Sequence, residues 1–170
     1  MHHLINTWPD VRAAHPDALL LIVGTGREEA ALKDAAGSGI RFVGKVEDVA
    51  PYLKAADIFV LPSATEGLSN ALLEGLAAGL SAVATEVGGA GDVITHGHNG
   101  WLIPPDDVRA LREALIKLIG DPEYRTQLGQ HGREKILQDY RLEVVADKMR
   151  ALYDQLIRQR KGQPVSGAGA

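Results

Sequence analysis

Five short, near-continuous apolar runs, each closed by Gly, Pro or Thr, constrain this chain more than any other feature. Leu19-Leu20-Leu21-Ile22-Val23 stops at Gly24, Ile40-Arg41-Phe42-Val43 at Gly44, and Ile58-Phe59-Val60-Leu61 at Pro62. Leu80-Ser81-Ala82-Val83-Ala84 stops at Thr85, and Trp101-Leu102-Ile103 at Pro104-Pro105. Runs of this kind, rather than alternating ones, mark strands covered on both faces, as in parallel sheets. Between them the sequence predicts helices over about residues 27–36, 47–55, 69–78 and 90–96. The alternation implies an α/β domain with a Rossmann-like, doubly wound parallel sheet.

The remainder of the chain reads as helical. Asp106 or Asp107 caps a helix reaching about Ile119, with Val108, Leu111, Leu115 and Leu118 on one face. Asp121-Pro122 opens the next helix, since proline suits the first turn. A last helix from Arg141 to Arg160 carries a stripe of Val144, Val145, Met149, Leu152, Leu156 and Ile157. Residues 1–160 are expected to form a single domain, and 161–170, with Gly, Pro and Ser, a disordered tail. Met1 to Ala14 reads as a helix through Leu4, Ile5, Trp8 and Val11, although Pro9 removes a backbone donor. A parallel βαβ unit needs a strand ahead of its helix, and none precedes this one. The sheet is therefore expected to lack its first strand, as a domain entered late.

The totals exclude several classes. With 170 residues the chain can bury a core. Its net charge of -4 speaks against nucleic acid, which needs a concentrated basic face. The absence of cysteine removes disulfides, thiolate chemistry and zinc–thiolate sites. No apolar run approaches membrane-spanning length and no signal-peptide pattern opens the chain, so a cytoplasmic location is expected.

In an open parallel sheet, ligands bind at the carboxyl ends of the strands. Three loops are expected to converge there: Gly24-Thr25-Gly26, Ser63 to Ser69, and Thr85 to Gly89. Glu66 and Glu74 stand eight positions apart in the middle one, and Glu74 is the only ionisable residue between Glu66 and Glu86. A carboxylate set in an apolar helix needs a hydrogen-bonding partner. A remote part of the fold or a hydroxyl-rich ligand supplies it. The Gly67-Leu68-Ser69-Asn70 turn is either an anion site of helix N–H groups or an ordinary N-cap by Ser69 or Asn70. Gly24-Thr25-Gly26 stands either for a tight turn or for a thin cleft wall. Glu29 occupies the third-glycine position of a G-x-G-x-x-G, and no Walker motif is present, so a standard dinucleotide or P-loop site is not expected. Gly88-Gly89-Ala90-Gly91 permits close approach of a ligand, or is simply a flexible loop. His96-Gly97-His98-Asn99-Gly100 is better explained by an Asn-Gly turn than by a metal, and no metal site is expected.

Taken together, Pro62-Ser63, Glu66-Gly67-Leu68-Ser69, Glu74-Gly75-Leu76-Ala77-Ala78-Gly79, Ala84-Thr85 and Gly88-Gly89 resemble the E-x7-E donor site of retaining GT-B glycosyltransferases of the GT4 type. Val23-Gly24-Thr25-Gly26, Phe42-Val43-Gly44-Lys45-Val46 and Asn99-Gly100-Trp101-Leu102-Ile103-Pro104 extend the likeness, which covers roughly residues 4 to 157. The resemblance implies the C-terminal, donor-binding domain of such an enzyme. By it, Glu74 hydrogen-bonds ribose hydroxyls and Glu66 sits catalytically beside the transferred sugar. The N–H groups of Gly67, Leu68 and Ser69 hold sugar and phosphate oxygens. Gly24 and Gly26 thin the cleft wall, and Lys45 and Val46 face the base. No cofactor is implied, only a UDP-, GDP- or ADP-sugar donor.

The chain departs from the family's pattern in places. Leu80-Ser81-Ala82 replaces the usual Gly-x-Pro-Val, and Asp92 stands where Glu is common. By the resemblance, the family's Arg and Lys that neutralise the diphosphate are expected in a segment before the first helix, and its acceptor-binding N-terminal domain is expected to lie outside residues 1–170. Arg27 and Lys45 are either partial substitutes or solvated surface charges. The function implied is the nucleotide-sugar-binding half of a retaining glycosyltransferase that transfers a hexose-type sugar. The intact enzyme would be cytoplasmic or peripheral at the membrane. The alternative is a non-catalytic or split nucleotide-sugar-binding subunit, or a truncated, self-assembling domain that needs a partner chain. An exposed sheet edge would then invite homo-oligomers.

Overall fold

The computed structural model describes residues 1–160, and the expected tail lies outside the described residues. In chain order the elements are α1 (His2–Ala14), β1 (Leu20–Val23), α2 (Glu29–Ala35), β2 (Ile40–Gly44), α3 (Ala50–Ala55), β3 (Ile58–Leu61) and α4 (Asn70–Ala77). There follow β4 (Ser81–Thr85), α5 (Ala90–Val93), β5 (Trp101–Ile103), α6 (Val108–Gly120), α7 (Pro122–Asp139) and α8 (Leu142–Arg160). Each apolar run forms a strand, and every strand pairing is parallel.

The strands do not form one continuous ladder. β1 pairs with β2, and β3-β4-β5 form a second sheet. β1 and β3 nevertheless contribute Leu20, Ile22, Ile58 and Val60 to one core. Each keeps one edge free of strand pairing among the described residues.

Alternate residues of β3, β4 and β5 serve opposite faces, as a pleated strand dictates. Ile58, Val60, Val83, Trp101 and Ile103 pack with Leu4, Trp8 and Val11 of α1 and Leu111, Leu115 and Leu118 of α6. Phe59, Leu61, Ala82, Ala84 and Leu102 pack with Leu72 and Leu76 of α4, Val93 of α5 and Ile136 of α7. Helices therefore cover both faces, which is the doubly wound arrangement. β4 is buried along its whole length.

Capping decides the boundaries. Asp107, not Asp106, caps α6 by accepting from the Ala110 N–H at 2.8 Å, and Asp121 caps α7 through the Tyr124 N–H at 3.0 Å. α3 starts at Ala50, three residues later than predicted, because Asp48 Oδ1 accepts from the Ala50 N–H at 2.9 Å and Pro51 fills the first turn. α5 stops at Val93 instead of continuing to 96. Asn99, which is buried, accepts from the Thr95 N–H at 2.6 Å and donates through Nδ2 to Val93 O at 3.0 Å, turning the chain. α1 persists through Pro9, which is exposed, because Leu4, Ile5, Trp8 and Val11 are buried and the Trp8 indole donates to Gly39 O at 3.0 Å.

Candidate functional site

The carboxyl ends of β1 and β2 are tied together by glycine. Gly24 and Gly44 take φ values of 115° and 81°, which favour residues without a Cβ. The Gly24 N–H donates to Gly44 O at 2.8 Å. This bond brings Gly24-Thr25-Gly26 beside Lys45 and Val46, which follow Gly44 directly. Lys45 is exposed and Val46 half-buried. A Cβ placed on Gly24 or Gly26 would meet nothing within 4 Å, so the wall there is thin and open. A cavity of about 240 Å³ lies against it, lined by Met1, Val23, Gly24, Gly26, Arg27 and Phe42 among others.

A second group gathers at the ends of β3 and β4. Glu66 is exposed, and its Oε2 accepts from Ser63 Oγ at 3.2 Å. Ser69 occupies the N-cap of α4 with extended backbone but gives no side-chain capping bond. The reading of this turn as an ordinary Ser69 cap therefore fails, and the first N–H groups of α4 gain nothing from it. A cavity of about 150 Å³ adjoins this group, lined by Ser63, Thr85, Ile103, Asp106, His3 and Met1. Met1, just ahead of α1, lines both cavities.

Glu74 corrects a sequence expectation. Its neighbours are apolar, yet the side chain is exposed. Leu72 and Leu76 point into the core at 1% and 0% exposure, and Glu74 lies between them on the opposite side of α4. No burial penalty acts on its charge, so it requires no partner to be tolerated in the fold.

The glycine pair after β4 also differs from expectation. Gly88 and Gly89 approach the Glu66–Leu68 backbone rather than open space: the Gly89 N–H donates to Gly67 O at 3.0 Å. This contact depends on the spacing of two loops and leaves no local signal beyond the glycines themselves. The histidine segment forms a turn over Gly97-His98-Asn99 rather than at Asn99-Gly100: the positive φ of 74° falls on Gly97, and Gly100 pairs back with His96. His96 Nδ1 lies 3.0 Å from Leu102 O, and the His98 ring stacks on His131 at 4.5 Å. Among the described residues, no three His, Cys, Asp or Glu side chains are grouped to hold a metal ion.

The chain and its fold have known relatives. Residues 1–121 match the family described as Glycosyl transferases group 1. The chain is 37% identical over 158 residues to a GDP-mannose-dependent monoacylated alpha-(1-6)-phosphatidylinositol monomannoside mannosyltransferase of Corynebacterium glutamicum, covering 86% of this chain and 41% of the relative. Among solved structures, the sucrose-phosphate synthase of Thermosynechococcus elongatus superposes with a TM-score of 0.77 at 30% identity, over 91% of this chain and 42% of that one. The C-terminal domain of a glycosyl transferase group 1 family protein from Francisella tularensis superposes with a TM-score of 0.73 at 25% identity, over 82% of this chain and 78% of that one. This chain thus spans about two-fifths of the length of the full-length relatives. With a family match over most of its length, a doubly wound parallel fold and the glutamate spacing in place, the chain belongs to the group 1 glycosyl transferases, which are GT4-type enzymes with the GT-B architecture.

Proposed function

We propose that this chain is the nucleotide-sugar-binding half of a retaining glycosyltransferase that moves a hexose-type sugar from a nucleoside-diphosphate sugar to an acceptor. The observation that carries the reading is the placement of Glu66 and Glu74. Both are exposed and flank the start of α4, whose N-cap residue leaves the terminal N–H groups without a side-chain partner. A helix start of this kind favours phosphate oxygens through its N–H groups and dipole.

In this reading Glu74 accepts hydrogen bonds from the ribose, and Glu66, steadied by Ser63, contacts the transferred sugar. Gly67, Leu68 and Ser69 hold sugar and phosphate oxygens through backbone N–H groups. Gly24, Gly26, Lys45 and Val46 border the base. The reaction then relies on oriented binding and phosphate electrostatics. Arg27 lines the larger of the two cavities, beside Gly24 and Gly26. Acceptor binding is assigned to a further domain or a partner chain.

A second reading is favoured by the split between the two sheets. A binding subunit that works only with a partner chain would use the unpaired edges of β1 and β3. Calorimetric titration of the chain with UDP-, GDP- and ADP-sugars tests both. Binding to at least one is expected, and binding to none sinks them together. Transfer that appears only after a separate acceptor domain is added favours the second.

A further inference from the structure

We propose that Gly88 and Gly89 are positioning residues for the donor sugar, acting through the backbone of Glu66 to Leu68. The proposal rests on the reading of that loop as the sugar–diphosphate cradle. Gly88 has φ 53°, and a Cβ there would fall 1.9 Å from Glu66 O and 2.7 Å from Gly67 O. A Cβ on Gly89 would lie 3.3 Å from Leu68 Cα and Cβ. The Gly89 N–H donates to Gly67 O at 3.0 Å. At Gly88 backbone thus packs directly on the Glu66 and Gly67 backbone, and at Gly89 it meets both the backbone and the side chain of Leu68.

The consequence follows from peptide planarity. In a trans peptide, the C=O and the following N–H point in opposite directions. Glu66 O and Gly67 O both face the glycine pair, so the Gly67 and Leu68 N–H groups are turned away from it. Those are two of the groups assigned to donor oxygens. The close approach therefore sets the direction of two adjacent donors, which a loop of exposed residues does not hold by itself. Nothing wider than glycine fits at 88 without moving the Glu66 and Gly67 carbonyls. Gly91, in the same stretch, has open space where a Cβ would go.

The test compares Gly88→Ala, Gly89→Ala and Gly91→Ala with the parent chain by calorimetry. The probes are the nucleoside diphosphate sugar that the parent binds and the matching nucleoside monophosphate. Gly88→Ala is expected to weaken the diphosphate sugar by roughly tenfold or more, the scale of misdirecting charge-assisted hydrogen bonds, while the monophosphate changes by less than about twofold. Gly89→Ala, where the neighbour yields by a few tenths of an ångström, gives a smaller loss confined to the same ligand. Gly91→Ala leaves both ligands unchanged. If Gly88→Ala does not fold, the Gly89→Ala comparison decides. Equal affinities in parent and variants overturn the positioning role alone, as does an equal loss for both ligands. A parent chain that binds no nucleotide sugar overturns the donor-site reading beneath it.

Discussion

The two glutamates are not equivalent as residues. Glu66 already has a hydrogen-bonding neighbour in Ser63, whereas Glu74 stands exposed on a helix whose inner face is sealed by Leu72 and Leu76. Glu74→Gln keeps the shape and removes only the charge. Because the side chain is exposed, stability is expected to stay within about 0.5 kcal/mol of the parent, the usual range for surface changes. Nucleotide binding is expected to weaken by about 1–2 kcal/mol, roughly five- to thirty-fold in Kd, as charge-assisted bonds to a ribose become neutral ones. Thermal melting and titration on the same preparation check both halves. A melting point lowered by many degrees with affinity unchanged would make Glu74 a structural carboxylate. The exposure itself was legible in the sequence: two residues along a helix is about 200°, so a residue midway between Leu72 and Leu76 faces away from both. Apolar neighbours in the chain suggested burial, but helical period, not adjacency, decides which way a side chain points.

At the scale of elements, the strands were legible because nearly every run ends at a residue that breaks or turns it. The Asp121 cap was legible through Pro122 behind it, whereas the α6 cap was legible only as one of two aspartates, Asp106 or Asp107, of which the structure selects Asp107. The early end of α5 was not, since it depends on Asn99 reaching back to Val93 and Thr95. Nor was the tight seating of α7. A Cβ on Gly129 of α7 would lie 2.1 Å from Gly79 O, and one on Gly132 would lie 2.7 Å from Leu76 Cδ2. These glycines let α7 press on the turn between α4 and β4 and on α4 itself, so they help set the axis of the helix that presents Glu74. Backbone cannot yield as a long side chain does. Gly129→Ala is therefore expected to destabilise the chain by about 1–3 kcal/mol, the range for overpacking, less the small gain from better helix propensity. Urea unfolding measures it through a lower midpoint at unchanged slope. A stabilised Gly129→Ala chain would mean that α7 lifts off freely, and that α4 does not take its position from α7.

Across the whole molecule, the division into two ladders predicts unequal stability. The β3-β4-β5 sheet has a central strand buried at every residue, with helices on both faces. The β1-β2 pair has only Leu20 buried within its strands, and a two-stranded ladder is weak unless packed. Its neighbours α2 and α3 are short, with Leu32 as their one buried residue. Native-state hydrogen exchange should therefore separate the two. Amides of Ala82 to Ala84 are expected to open only with global unfolding, and those of Ile22, Val23 and Val43 through smaller openings, at least tenfold more often, or about 1.4 kcal/mol. The loops that the donor-site reading assigns to the base, Gly24 to Gly26 and Lys45-Val46, sit on this weaker unit, while those assigned to the sugar and phosphates sit on the stronger one. A nucleotide that spans both must then hold the weaker unit in place. At a hundred times Kd, bound donor is expected to raise the opening free energy of β1 and β2 by about 2.7 kcal/mol, read as slower exchange in those strands. Protection that rises at Gly67 to Ser69 but not along β1 and β2 would show that the ligand touches only the second group, and that the glycine bridge between Gly24 and Gly44 serves the fold alone.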